Sequence, residues 1–254
     1  MLSLHSTFDS IAYCVNVDRC LAGDAAHPCS KIVLSQQVPR KRFQLPEPWR
    51  GQIDKAPILF LGSNPSIGDD EYALLSSPKE QVWESEHLAF GGGTRAYIAD
   101  GIKTTKPDGT AGRRVQYWTS IRARARELIP GAKPGEDYAI TEVVHCKSRG
   151  EIGVQEAVQT CYHVHMGNVF AVSPAEVVVA LGKVAQVALL SDRENSPGSP
   201  CKMRLGDKDR IVFFLPHPNR TGPKKSLAAH YSSEALNMAR LLINQKRPER
   251  GSQR

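Results

Sequence analysis

Buried β-strands alternate with amphipathic helices along this chain. Four apolar runs are predicted to form buried parallel strands, because each run is continuous and lies between Gly, Pro or polar residues; they cover 57–62, 138–144, 176–181 and 211–215. Apolar residues recur with a helical period in the segments 8–21, 113–129, 154–170, 183–190 and 226–244. This alternation predicts an α/β fold, a three-layer α/β/α sandwich whose central sheet is mainly parallel and whose ligand lies at the carboxyl ends of the strands.

Length and composition fit one globular domain. A chain of 254 residues suits a single α/β core, which we expect over residues 1–246, with 247–254 forming a polar tail that frays. Hydrophobic residues make up 41% of the chain and charged residues 23%, and no apolar run approaches the roughly 18 residues needed to cross a bilayer. The first residues lack the pattern of a secretory signal. We therefore expect a soluble, cytoplasmic monomer.

The charge balance favours a polyanionic partner. Lys and Arg number 33 against 26 Asp and Glu, which gives a net charge of +7, and such a charge favours phosphate contacts and counterion release. Arginines are frequent in the segment 113–126, and Arg220, Lys224 and Lys225 follow a proline-containing loop. The alternative is an ordinary basic protein whose arginines lie on a solvated face.

Cysteine usage suggests either a metal site or inert thiols. Cytosolic thiols remain reduced, so the six cysteines argue against a disulfide framework. Cys14, Cys20 and Cys29 lie near the N-terminus, while Cys146 and Cys161 bracket a later loop. One interpretation is a metal or cluster site that joins the two regions, and the other is a set of buried, unreactive thiols.

Two turns follow two of the predicted strands. The first, 62–66, has the sequence Gly-Ser-Asn-Pro-Ser, and the second, 216–222, begins Pro-His-Pro. Gly and Pro favour sharp turns, and parallel strands end at the same edge of a sheet. We therefore expect the side chains of Ser63, Asn64 and His217 to meet in one crevice.

Several motifs, taken in order, resemble one family. LFLGSNPSIG is similar to a strand followed by a G-x-x-P-G or G-x-N-P-G turn, and FFLPHPNRTG is similar to a strand followed by a His-Pro loop. Between them lie AITEVVHC, then Cys161, then SPAEVVVALGKVA. Together these stretches resemble the iron–sulfur branch, families 4 and 5, of the uracil-DNA glycosylase superfamily. The resemblance implies a uracil-DNA glycosylase-like fold.

The implied activity belongs to base-excision repair. Such enzymes flip a damaged base, here expected to be uracil, out of single- or double-stranded DNA and hydrolyse its N-glycosidic bond. The resemblance also implies a 4Fe–4S cluster, with Cys146 and Cys161 as two ligands. The N-terminal 50 residues would supply the other two, which we expect to be Cys20 and Cys29, although this chain lacks the family's usual C-x-x-C pair. Cys14 remains an alternative.

A second metal interpretation is available. Cys161, His163 and His165 are all metal-ligand types, so zinc is an alternative to the cluster.

Roles for individual residues follow from the same resemblance. His217 would donate a hydrogen bond to the departing base, and Asn64 would orient the attacking water. Gly62 and Ser63 would lie against the base, and Phe90 would stack on it, although a core phenylalanine is equally expected from this pattern. Arg220 and Lys224 would contact DNA; an exposed arginine without that role is the alternative.

Two positions depart from the family. Ser63 stands where family 4 has glutamate, so the water role of Asn64 comes from other branches, and one of the acids at 69–71 is an alternative. Glu142 stands where the family has asparagine. An ionised glutamate accepts from uracil N3–H but repels O4. Three explanations are open: Glu142 is protonated, another residue donates to O4, or the enzyme acts on a different lesion.

Two other functions are compatible with the sequence. One is a superfamily member that binds uracil-containing or abasic DNA without efficient turnover. The other is a cytosolic iron–sulfur redox protein, which would have no DNA affinity.

Overall fold

The structure is a computed structural model, and it describes residues 3–68, 73–88, 90, 98–105, 110–190, 199–219 and 226–246. The strands are β1 (Ile58–Gly62), β2 (Ile98–Ala99), β3 (Lys103–Thr105), β4 (Ala111–Arg114), β5 (Tyr138–Glu142), β6 (Val177–Leu181), β7 (Cys201–Leu205) and β8 (Lys208–Leu215). The helices are α1 (Leu4–Ala12), α2 (Val15–Leu21), α3 (Ser30–Leu34), α4 (Lys79–Trp83), α5 (Gln116–Leu128), α6 (Val154–Cys161), α7 (Gly167–Val172), α8 (Gly182–Leu190) and α9 (Ser233–Lys246).

Five strands form the main sheet, in the order β5-β1-β6-β8-β7. The first four are parallel, and β7 pairs antiparallel with β8 at one edge. A two-residue turn joins β7 to β8, and its first residue, Gly206, has a φ of +65°, which glycine adopts without strain. The protein is therefore an α/β protein with a five-stranded, mainly parallel sheet flanked by helices, which confirms the expected class.

Apolar residues fill both faces of this sheet. Alternate residues of β1 point to opposite faces, and both sets are buried because helices cover each side. One core combines Leu59 and Leu61 with residues of α1, α2 and α6 to α8. The other combines Ile58 and Phe60 with residues of α5 and α9. Burial on both faces explains why the strand sequences are continuous apolar runs.

The segment 47–52 runs antiparallel along the outer edge of β5. The backbone N–H of Glu47 donates to the carbonyl of His145 at 2.9 Å, Arg50 exchanges two hydrogen bonds with Ile140, and Gln52 N–H donates to Gly135 at 2.8 Å. This pairing brings the charged side chains of Glu47 and Arg50 close to the end of β5.

The structure differs from the predicted elements at several places: α3 and α4 were not predicted, and the helix expected over 113–129 starts at Gln116, after β4. The predicted N-terminal helix is two helices, because the backbone of Cys14 is extended and ends the helical path between α1 and α2. The edge strand β7 and the small sheet β2-β3-β4 were not predicted, since every second residue of β7 is an exposed basic residue and the strands of the small sheet are only two to four residues long. A 3₁₀ turn at Leu227–Ala229 precedes α9, which starts only at Ser233. Within the described part of the chain, no helix is both long and apolar enough to cross a membrane.

Candidate functional site

The loops after β1 and β5 are joined by backbone hydrogen bonds beyond the sheet. Val143 N–H donates to the carbonyl of Gly62 at 3.1 Å, and Val144 N–H donates to that of Ser63 at 3.0 Å. Further out, Ser148 N–H donates to the carbonyl of Pro65 at 3.1 Å. These bonds hold the predicted turn at 62–66 against the segment that follows β5.

A cavity of about 330 Å³ opens at the carboxyl ends of the parallel strands. The loops after β1, β5 and β8 and the start of α8 all contribute to its wall, which contains Ser63, Asn64, Ser66, Ser148, Gly150, Glu151, Gly182, Lys183, Val184 and His217. The structure thus brings Ser63, Asn64 and His217 together at the sheet edge where such folds bind ligands.

Asn64 is held by its amide nitrogen. Its Nδ2 atom donates to the hydroxyl of Ser148 and the carbonyl of Pro65, each at 3.0 Å, and lies 3.5 Å from the carbonyl of Cys146. Among the described residues, the Oδ1 atom accepts no hydrogen bond. The amide plane is therefore fixed while an acceptor remains available at the cavity wall.

His217 has a defined tautomer. The backbone N–H of Asn219 donates to its Nδ1 atom at 3.2 Å, so this nitrogen carries no proton in the neutral ring. The proton of a neutral imidazole then lies on Nε2, which makes Nε2 a hydrogen-bond donor. Close to the ring, Gly182 begins α8 with a φ of +82°, and a β-carbon built there would lie 3.2 Å from Cβ of His217.

Tyr117, at the first turn of α5, was not predicted to belong to this site. Its ring stacks on His217, with centroids 5.7 Å apart and an interplanar angle of 27°. Its buried hydroxyl lies 2.6 Å from a β-carbon built on Gly62, so only glycine leaves room for it. Burial, followed by the nearby acid Glu142, raises the pKa of this phenol well above its usual range. An aromatic residue shortly after a run of arginines was the available sequence signal.

Glu142 ends β5 beside Gly62 and is 3% exposed. Its Oε2 atom is buried and has no hydrogen-bond partner within the described ranges. The Ser63 hydroxyl is likewise buried without a partner there. Two buried polar groups without partners in the described ranges thus lie at adjacent strand ends, and one of them, Ser63, also lines the cavity.

Phe90 is not brought to this site. Its ring packs edge-on against Tyr138 at 5.7 Å, and its carbonyl lies close to Gly135. Tyr138 begins β5 and Glu142 ends it, so the two ends are roughly 13 Å apart at about 3.3 Å per residue. Phe90 therefore belongs to the core at the amino end of the strand, as in the alternative interpretation.

Several predicted residues lie outside the described part of the chain. They are Arg220, Lys224, Lys225 and the three acids Asp69, Asp70 and Glu71.

Five of the six cysteines are buried in one region. Cys14, Cys29, Cys146 and Cys161 line a small cavity together with His145 and His165. Burial raises the pKa of Cys29 and Cys161 to about 12, and that of Cys146 well above its usual range. The backbone N–H of His145 donates to the sulfur of Cys161 at 3.4 Å. In the described ranges, no three of these side chains stand at metal-ligand distances.

Cys20, predicted as a ligand, is fully buried beside this group but does not line the cavity. Its sulfur lies 3.7 Å from Nδ1 of His27, and the backbone N–H of Cys29 donates to the same nitrogen at 3.1 Å. Cys14 lines the cavity, with its sulfur 3.4 Å from Nε2 of His165. Of the zinc alternative, His163 is exposed and contacts the carbonyl of Gln159 on its own helix.

Comparison with known proteins adds no assignment. No family model matches the chain, and no curated protein shows significant similarity to it.

Proposed function

We propose that this protein is a DNA glycosylase of the uracil-DNA glycosylase type, with the corresponding fold. One observation carries the proposal. His217, in the tautomer that donates from Nε2, and Asn64, whose amide oxygen accepts no hydrogen bond from the described residues, share one cavity wall beside the ring of Tyr117.

His217 is placed to stabilise the negative charge that the reaction creates on the departing base. Breaking the bond between C1′ and the base nitrogen transfers the bonding electron pair to the base, so negative charge develops on the base oxygens. A neutral imidazole that donates from Nε2 stabilises that charge without itself losing a proton. The stacking on Tyr117 and the hydrogen bond from Asn219 limit the rotation of the ring.

The reaction also requires a water molecule held in position, and Asn64 is placed to hold it. As the base leaves, positive charge develops on the sugar, and the oxygen of water forms the new bond to C1′. One water proton is released and the base anion is protonated, which balances the hydrolysis. The Oδ1 atom of Asn64 accepts a hydrogen bond from this water, while Ser148 and Pro65 hold the amide in place.

Tyr117 replaces Phe90 as the aromatic surface for the flipped base. Its partly exposed ring lies beside His217, and its hydroxyl reaches the strand end at Gly62. Aromatic faces bind flipped bases by stacking, which contributes roughly 1–3 kcal/mol for each base. Exposed Arg113 and Arg114 precede Tyr117 in the chain and are suited to phosphate contacts.

The buried cysteines fit a 4Fe–4S cluster by their chemistry. Four thiols around one cavity form the donor set of such clusters, and an N–H···S hydrogen bond such as that from His145 tunes them. We infer that the ligands are Cys14, Cys29, Cys146 and Cys161, which line the cavity, in place of a set containing Cys20, which does not line it. Such a cluster would attach the N-terminal helices to the α6 side of the sheet.

Ligand choice is tested by single replacements. We expect anaerobically purified protein to contain about four irons per chain. Cys14→Ser should lower the iron content strongly, whereas Cys20→Ser should retain it. If only Cys20→Ser loses iron, the ligands are those predicted from the sequence, with Cys20 in place of Cys14. Stoichiometric zinc without iron would contradict an iron–sulfur cluster.

The activity is tested with oligonucleotides that contain one uracil, single-stranded and duplex. Anaerobically purified protein should produce abasic sites in single-turnover reactions. His217→Ala should reduce the rate by roughly 10²-fold or more with little loss of DNA affinity, because the donor acts mainly in the transition state. His5→Ala, which removes an exposed imidazole on α1, is the matched control. Binding to uracil-containing DNA without cleavage would favour a non-catalytic binding protein instead.

A further inference from the structure

Glu142 lies beside Gly62, whose neighbour Ser63 lines the cavity proposed as the base site. Its Oε1 atom is 3.6 Å from a β-carbon built on Gly62, and the hydroxyl of Tyr117 approaches the same point to 2.6 Å. Its Oε2 atom is buried without a partner in the described part of the chain. A buried polar atom without a partner destabilises the folded protein, so this arrangement is expected where a ligand completes the contacts.

The surroundings of Glu142 do not provide a cation for it. Arg50 pairs with Glu47 at 2.6 Å and with Glu86 at 3.1 Å, and Lys147 lies 3.4 Å from Glu47. In the described ranges, no ion pair involves Glu142. An ionised Glu142 would therefore add a third carboxylate to a buried group in which these two cations already have partners.

Burial and charge therefore act in the same direction on this carboxyl. Loss of hydration, followed by repulsion from Glu47, raises the pKa of Glu142 well above its usual range, against the smaller opposing effect of Arg50. Glu86 adds to the repulsion and Lys147 opposes it.

We propose that Glu142 is a neutral carboxylic acid that recognises the adjacent N–H and C=O groups of a deaminated base. This inference rests on the proposed glycosylase function and names its substrate class. The carbonyl oxygen of a neutral acid accepts one hydrogen bond and its hydroxyl donates another. Uracil offers N3–H and O4, and hypoxanthine offers N1–H and O6, so both match this pair. An ionised carboxylate would repel the base oxygen.

The neutral state and base recognition can both be measured without cleavage. The carboxyl carbon of Glu142 is followed by NMR in protein labelled at glutamate Cδ, and its signal is assigned by its loss in Glu142→Gln. Affinity is measured at pH 7 for DNA with 2′-fluoro-2′-deoxyuridine, which resists cleavage, and for DNA with a tetrahydrofuran abasic analogue. The affinity for the uracil analogue divided by the affinity for the abasic analogue measures the contribution of the base.

Three variants distinguish the outcomes. Glu142→Gln keeps one acceptor and one donor, and should preserve the ratio within roughly threefold. Glu142→Met has similar length without polar groups, and should lower this ratio by about tenfold or more, since both hydrogen bonds to the base are lost. Glu136→Gln is the control, because Glu136 is half exposed and precedes the amino end of β5. The Glu142 signal should be that of a neutral acid at pH 7.

An ionised Glu142 at pH 7, or a Glu142→Gln ratio as low as that of Glu142→Met, would overturn the inference even in a protein that cleaves uracil. Conversely, a neutral Glu142 and a uracil preference in a protein that does not cleave would support the inference and contradict only the proposed activity. No preference for uracil in the wild type would overturn both.

Discussion

Replacing Gly62 with alanine tests the packing at the centre of the site. The new β-carbon would lie 2.6 Å from the hydroxyl of Tyr117 and 3.4 Å from Cγ of Glu142. Because carbon–oxygen contacts below about 3.4 Å are repulsive, the hydroxyl must move by roughly 0.8 Å. The stacked ring of His217 limits this movement on one side.

The expected loss follows from overpacking. Extra methyl groups in packed interiors destabilise by about 1–3 kcal/mol, which for a protein of this size lowers Tm by roughly 2–12 °C. Displacement of Tyr117 against His217 should also lower uracil cleavage by roughly tenfold or more, because catalytic groups tolerate little displacement.

Thermal unfolding and single-turnover cleavage measure the two effects. Gly167→Ala is the matched control, since Gly167 begins α7, has no positive φ, and a β-carbon there meets nothing within 4 Å. That variant should keep its activity and its Tm. If Gly62→Ala unfolds and cleaves like the wild type, the Tyr117 hydroxyl is not packed on Gly62, and the described site is wrong.

Three further predictions concern single residues. Asn64→Ala should lower cleavage by roughly 10²-fold with small loss of DNA affinity; full activity would shift the water role to the acids at 69–71. Gly182→Ala should lose about 1–2 kcal/mol in unfolding experiments, because φ is +82° there, and should slow cleavage through contact with His217; unchanged stability would contradict this. Burial lowers the pKa of His87 to about 4, and Trp49 donates to its Nδ1 at 3.0 Å. The folded state therefore excludes a proton that the unfolded state binds, so stability should fall as pH drops from about 6.5 through 4; an equal fall in His87→Gln would refute this.

The sequence predicted the parallel strands because burial on both faces leaves a clear apolar pattern. β1 and β6 lie within one residue of the predicted ranges. The approach of Asn64 and His217 was also predictable, since turns after parallel strands open at one edge of the sheet. The antiparallel strand β7 was missed because its alternate residues are exposed and polar.

Other features of the site depend on contacts between distant segments. Tyr117 lies within the arginine-rich segment 113–126, a signal that drew attention to this region but did not indicate that the ring of Tyr117 stacks on His217. Glu47 and Arg50 determine the charge around Glu142. They belong to the segment 47–52, which pairs with the edge of β5, and no local sequence pattern predicts that pairing. Likewise, the extended backbone at Cys14 separates α1 from α2, and its thiol lines the cysteine cavity.

The most direct test of the proposed function is to count products from one reaction. Anaerobically purified protein is mixed in excess with duplex DNA containing one uracil, and free uracil is measured by mass spectrometry while abasic sites are measured with an aldehyde-reactive probe. The two should rise together, one free base for each abasic site and without strand cleavage, and both should slow by roughly 10²-fold in His217→Ala. Intact uracil-containing DNA after long incubation with iron-replete protein would contradict the assignment.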